Sequence, residues 1–425
     1  MSEINKEARP PFSSKPFYGW TIASMGSLGN AVQGGIVFWS MGLYISAFED
    51  TFNESRSKIT LIETFLTAGA NILSPVLGVL VDKWSVRKSM TMGALAIGLG
   101  LIVCSMAGSL LGVWMAFILL IPLGVVSIGA LPTSTVISRW FRKRRGLALG
   151  ISVAGSSVGG ALMPPILIWL FMTFGWRTGM MSVGIFVILL APVFYFLVAD
   201  HPADKRQEQE EDSKNEKLML TEIDKVDWSV REILVTSAFW KQVLISGSML
   251  AVTLSLLANL GLHAKDLGFV GQEVALLYSI IAFFSFTGKI GFGHLIDRLG
   301  LTIAGLISVS IMSVALIVLS TTTQWNLIAM ICVFIGLGVG GTSPMWTNMI
   351  ARGFGAKSFG RTMGLMNPCH IPLSAPSAPL AAYVSEQTGS YNMVFMIYVG
   401  LLIVAGITLC TLKPPVKNTV VSKNE

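Results

Sequence analysis

The sequence predicts an all-α polytopic membrane protein, with twelve transmembrane helices in two pseudo-symmetric six-helix bundles. Composition, a count of apolar runs and an internal repeat lead there. Of 425 residues only 12% are charged and 53% are hydrophobic, a balance foreign to water-soluble globules. A hydrocarbon core about 30 Å thick takes about 20 helical residues to cross. Twelve runs qualify, near 18–46, 57–81, 88–107, 110–138, 145–173, 178–199, 238–264, 273–296, 301–320, 324–351, 358–386 and 392–412. The first follows sixteen polar, proline-containing residues and is too long for a signal-peptide core, so it is expected to remain as span one.

An even count puts both termini on one side, and the basic residues say which. With the amino terminus inside, the inner loops collect Lys83, Arg87, Lys88, the run RWFRKRR at 139–145, Arg298, Arg352, Lys357 and Arg361, against Arg56, Lys58, Arg177 and Lys265 outside. This is the positive-inside asymmetry, and it predicts cytoplasmic termini. It also accounts for the net charge of +7 without a nucleic-acid partner, since the basic residues form no stripe on a soluble face.

Residues 200–235 hold eleven of the 23 acidic residues and form the longest segment between spans. They divide the chain into an N-terminal bundle (1–199), a solvated cytoplasmic linker (200–235) and a C-terminal bundle (236–425). Around Trp228 to Ile233 the linker is expected to form a helix on the membrane surface. The two bundles share landmarks. Gly78 and Asp82 recur as Gly293 and Asp297 at an offset of 215, while Gly146, Gly150, Pro165 and Gly175 recur as Gly360, Gly364, Pro379 and Gly389 at 214. Parallel repeats of this kind build one symmetry class of membrane carriers, with a substrate site between the repeats near midplane.

At these landmarks the chain resembles the major facilitator superfamily. The loop after span two carries Gly78, Asp82, Lys83, Arg87 and Lys88, with Ser85 where the family has a second glycine. RWFRKRRGLALGISVAGSSVGGALMPP with GWR at 175–177, YGW at 18–20, HAKDLG at 263–268 and TGSY at 388–391 are similar to the bacterial monocarboxylate-porter branch. The resemblance implies alternating access in a bacterial inner membrane, with Asp82, Arg87, Arg145, Asp297 and Arg298 as gating residues at the inner face. It implies close helix approach at the moving interface through Gly150, Gly155 and Gly159. Related carriers place an arginine at the Lys289 position and an acid four residues earlier, where this chain has Ser285. Their lysine on span one aligns near Trp39.

Helical spacing sorts the polar residues inside the spans. Tyr278, Ser285 and Lys289 share a face of span eight; Asn367, His370, Ser374 and Ser377 share one on span eleven. Span two offers Glu63, Thr67, Asn71 and Ser74, span seven Ser248, Ser255, Asn259 and His263, and span one Asn30 and Gln33. Such stripes are satisfied by a common wet cavity or by one another, and a central cavity is the expectation. A lysine at mid-membrane costs about 2.5–3.5 kcal/mol on insertion scales, and with no acid on its own stripe its natural partner is a substrate anion. Lys289, Tyr278, Ser285, His370, Asn367, Asn30, Gln33 and Asn259 are therefore the expected substrate-binding residues. Proton coupling is assigned to Glu63, the only acid well inside a span, with His263 and His370 as rivals because imidazole titrates near neutrality. The function expected is secondary transport of a small monocarboxylate of the lactate or pyruvate kind with a proton, by a monomer. Anion exchange of the oxalate/formate type, efflux of amphipathic compounds and a transporter-like sensor stand as alternatives. The four cysteines have no metal-ligand spacing, and no nucleotide-binding glycine loop or nucleophile constellation appears. No metal, cofactor, disulfide or enzymatic activity is expected.

Overall fold

A computed structural model describes residues 17–83, 85–141, 145–202, 228–269, 271–413 and 415, without the side chains of 78–83, 145–146 and 356–357. Eleven of the described helices are long and apolar enough to cross a membrane, from Gly19–Phe52 to Asn392–Cys410. The expected span eleven is also present, but broken: a helix runs to Ser374 and a second, Ser377–Thr388, follows. Below, the end carrying the Lys- and Arg-rich loops is the basic end, and the opposite one the far end.

Span one does not run as a plain α-helix. Val32–Phe38 is a π-helical stretch, whose widened turn leaves carbonyls poorly paired. Side chains repay them: Ser40 Oγ donates to Gly35 O at 2.7 Å and Tyr44 Oη to Ile36 O at 2.8 Å. Gly34 and Gly35 let span five approach here, since a Cβ on either would meet Ser156 or the Gly159 backbone. Gly155 and Gly159 face Ser27 and Ala31 in return, and Gly150 has no atom within 4 Å of where its Cβ would stand. Gly155 and Gly159 thus pack span five on span one inside the N-terminal bundle, which corrects the expectation that they line the moving interface; Gly150 makes no close approach.

The break in span eleven follows from its prolines, Pro372 and Pro376, each of which removes a backbone donor. In lipid an unpaired carbonyl needs a partner; Pro379 leaves Ala375 O without its i+4 donor, and side chains of neighbouring spans brace that carbonyl and two others just after the break. Thr64 Oγ1 donates to Ala375 O (2.5 Å), Ser255 Oγ to Ser377 O (2.9 Å) and Asn259 Nδ2 to Ala378 O (3.2 Å).

The repeat has a conformational reason at two of its landmarks. Gly175 and Gly389 both sit at positive φ (79° and 72°), where a side chain is disfavoured. Ser85, 215 residues before Gly300, has an ordinary φ of −76° and caps span three, so it needs no glycine. Asp200 strengthens that cap, accepting from Val86 N at 2.5 Å, from Arg87 N at 3.3 Å and from the Ser85 hydroxyl. The end of the linker helix forms as Val230–Val235, with a Ser229/Glu232 capping box. It is anchored to the C-terminal bundle as well as lying at its basic end. Trp228 packs edge-on against Phe354, its N–H donates to Ser358 Oγ, and its carbonyl accepts from Arg361. Residues 203–227 of the linker lie outside the described residues.

Candidate functional site: the seam between the bundles

The two bundles are tied from the far end down to mid-depth. At the far end Arg56 clasps Asp266 through both guanidinium ends at 2.6 Å and holds Glu49 at 2.6 Å. Lys265 reaches back to Glu49 (2.9 Å) and Asp50 (2.5 Å), and Ser57 donates to Glu386 through its N–H (3.2 Å) and its hydroxyl (3.0 Å). Deeper, Tyr278 Oη inserts into the backbone ladder of span seven, donating to Leu257 O and accepting from Gly261 N, both at 2.9 Å. Gly42 of the other bundle lies against that hydroxyl, with no room for a Cβ. Ser279 Oγ donates to Ala161 O at 2.9 Å.

The tie nearest the basic end is Lys289 Nζ to Ser157 Oγ, 2.8 Å. Lys289 stands ten residues, about 15 Å, from the basic end of span eight. Among the described residues no hydrogen bond or ion pair joins the bundles beyond it. There Gly150, Gly291, Gly293, Gly360 and Gly364 have no atom within 4 Å of a Cβ position. Among the described residues the hydrogen bonds and ion pairs that join the bundles lie between the far end and mid-depth.

Lys289 is half-buried, and no described carboxylate lies within the 4.0 Å of an ion pair; Ser157 is its one hydrogen-bond partner. Asn367 and Gln33 are also partly exposed, Gln33 with its amide against Gly129. The other expected binding residues are held inside a single bundle or spent on bridging helices. Asn30 donates to Gly26 O, Thr133 Oγ1 and Ser152 Oγ. Asn259 binds Ser255 O and Ala378 O and accepts from Tyr391 Oη. Tyr278 is committed to span seven, as above. His370, 2% exposed, shares a 2.9 Å hydrogen bond with Ser246 Oγ and meets the Trp346 ring edge-on. Ser285 Oγ is buried without a partner.

Glu63 is 1% exposed, and its one described partner is Thr67 Oγ1 at 3.1 Å. It lies seven residues from Arg56, on the same helix face about 10 Å below it. His263 is wedged edge-on between Tyr391 and Phe395 with Nε2 unbonded. Of the expected gating residues, Arg87 is engaged within its own bundle, donating to Val198 O (2.8 Å) and lying over Tyr195. Asp297 and Arg298 are exposed at the end of span eight. The side chains of Asp82 and Arg145 lie outside the described residues.

Sequence reasoning missed the far-end cluster. The signal was present: Lys265 and Asp266 belong to the HAKDLG motif, and Glu49, Asp50 and Arg56 flank the first loop. The GWR motif is structural. Trp176 Nε1 donates to Thr51 Oγ1 at 2.8 Å, and Arg177 stacks on Trp176 and holds Ser105 O and Ala107 O.

Known proteins share this architecture. The family model for the Major Facilitator Superfamily matches residues 26–371. The chain is 24% identical over 420 residues to human Monocarboxylate transporter 2, covering 94% of this chain and 87% of that protein. It is 24% identical over 410 residues to Monocarboxylate transporter 13 of Rattus norvegicus, covering 93% and 89%. Among solved structures, a bacterial homolog of the human lysosomal transporter Spinster, inward-facing and occupied, aligns with a TM-score of 0.70 at 14% identity, over 94% of this chain and 97% of that one. At that identity the likeness speaks of fold alone. The chain belongs to the Major Facilitator Superfamily, on its monocarboxylate-porter-like branch, and is a multi-pass membrane transporter and not an enzyme.

Proposed function

We propose that the protein carries a small organic monocarboxylate together with a proton by alternating access, acting as a monomer in a bacterial inner membrane. One observation carries the reading: an ammonium at the seam between the bundles, near mid-depth, with no carboxylate of the described protein to neutralise it. An uncompensated cation at that depth is costly, and a bound anion removes the cost. The names of the relatives, monocarboxylate transporters, point to the same class of anion. With the basic end in the cytoplasm, the conformation is inward-facing, and the far-end ion cluster is its outer gate.

Glu63 is the proton carrier in this reading. Its carboxyl is buried on the face of span two that runs down from the outer gate, with one hydroxyl for company. Opening the gate gives it water; closing it takes the water away.

The deciding experiment is uptake of radiolabelled L-lactate, pyruvate, acetate and formate into proteoliposomes, with and without an imposed proton gradient. Wild-type protein accumulates at least one of them, faster with acid outside. Lys289→Ala inserts normally and transports none, because removing the ammonium removes the binding charge. Transport retained by Lys289→Ala removes the counter-ion role. Indifference to the gradient in wild type replaces symport by exchange or uniport.

A further inference from the structure

We infer that Ser157 is a positioning and binding residue for the transported anion: it orients the Lys289 ammonium and offers its own hydroxyl to the same carboxylate, so that the anion is gripped from both bundles. This rests on the monocarboxylate reading above. Ser157 lies on span five of the N-terminal bundle and Lys289 on span eight of the C-terminal one, and their 2.8 Å contact crosses the seam. Ser157 is 1% exposed, so its orientation is set by packing and not by solvent.

The donor count leaves room for a ligand. An ammonium carries three N–H donors, and the described protein accepts one of them, at Ser157. Two remain for an anion. Many serines inside these helices turn back on a carbonyl of the preceding turn, as Ser134, Ser138 and Ser374 do. Ser157 has Lys289 as its one described partner, so its O–H stays free to donate while its oxygen accepts. Neighbouring Ser156 faces span one at Gly34, which leaves Ser157 as the hydroxyl turned to the other bundle.

The position matters as much as the chemistry. Among the described residues Lys289 and Ser157 form the tie nearest the basic end, one turn from the Ser279–Ala161 tie on span five and nearly three turns from it on span eight. An anion bound by Lys289 alone reports to one bundle. An anion that also accepts from Ser157 links both, and so favours the conformation in which the two are close. A lysine is a point charge with little directional preference; the hydroxyl supplies the direction.

The test is saturable uptake of L-lactate and pyruvate by wild type, Ser157→Ala and Ser157→Thr, with thermal-shift titration of the same two anions. Ser157→Ala is expected to raise KM and the half-saturating concentration roughly tenfold or more, the size of one hydrogen bond to a charged group. Its ligand-free melting temperature stays near wild type. Ser157→Thr, which keeps the hydroxyl, restores KM; if its extra methyl prevents insertion, Ser157→Cys, with a weaker hydrogen-bonding group, falls between. An unchanged KM in Ser157→Ala, beside a wild type that transports and a Lys289→Ala that does not, overturns the inference and spares the function. A melting temperature that drops while KM stays fixed assigns Ser157 to packing and also overturns it. A wild type silent to both anions and to the wider carboxylate set overturns both.

Discussion

Replacing Arg56 with alanine removes three hydrogen bonds of 2.6 Å, two to Asp266 across the seam and one to Glu49 within its own bundle. The side chains concerned are 20% (Arg56), 37% (Asp266) and 19% (Glu49) exposed, so water screens them and full charge-pair energies do not apply. An exposed pair alone contributes about 0–1 kcal/mol. Bidentate geometry and the shared Glu49 raise this cluster to about 1–2 kcal/mol, or roughly 5- to 30-fold in the ratio of far-end-closed to far-end-open molecules. The assay is a distance measurement between spin labels on Glu54→Cys and Thr388→Cys, which stand exposed on opposite bundles at the far end. Cys369 and Cys410, the two native cysteines that burial does not hide, are replaced by serine. Wild type gives one short distance, and Arg56→Ala adds a longer component. Raising salt to about 1 M, where the screening length falls to about 3 Å, acts in the same direction. The swapped pair Arg56→Asp with Asp266→Arg restores the short distance. An Arg56→Ala distribution identical to wild type would refute the gate.

Other outcomes follow from the same geometry. Gly42→Leu drives a side chain into Tyr278 and the Leu257 carbonyl, so the far end opens in the same distance assay; no change there means the seam yields at that point. Asn259→Ala strips the partners of Ala378 O and Tyr391 Oη and lowers stability by about 1–2 kcal/mol, given the modest worth of hydrogen bonds between membrane helices. It shows as a lower melting temperature with KM unchanged, whereas a raised KM assigns Asn259 to the substrate. Glu63→Gln keeps the shape but no longer exchanges a proton, so lactate equilibrates without responding to an imposed proton gradient. A Glu63→Gln protein that still concentrates lactate against its gradient in response to acid moves the proton role to His263 or His370. Asp200→Ala removes the cap of span three and costs about 0.5–2 kcal/mol, read as a lower melting temperature.

The spans, the repeat and the family were legible because they depend on properties that act locally and add along the chain. Twenty apolar residues form a helix in lipid whatever surrounds them, since each backbone group has its partner within the segment. The site was legible only in part. Lys289 stood out because charge at mid-depth is rare. The polar stripe of span seven pointed to a cavity by the same logic, yet Ser255 and Asn259 brace the start of the second helix of span eleven. Spacing reports which residues share a face, and it is silent on what that face meets.

The sequence by itself determined that this chain crosses a membrane as paired bundles, which end of them is basic, and that one cation on span eight needs a partner. The tertiary structure alone decided that Arg56 meets Asp266 across 210 positions of sequence, that Ser157 is the hydroxyl facing Lys289, and that the described ties between the bundles gather between the far end and mid-depth. Hydropathy is a sum over neighbours along the chain. A gate is a set of distances between helices, fixed when packing brings separate spans to one seam.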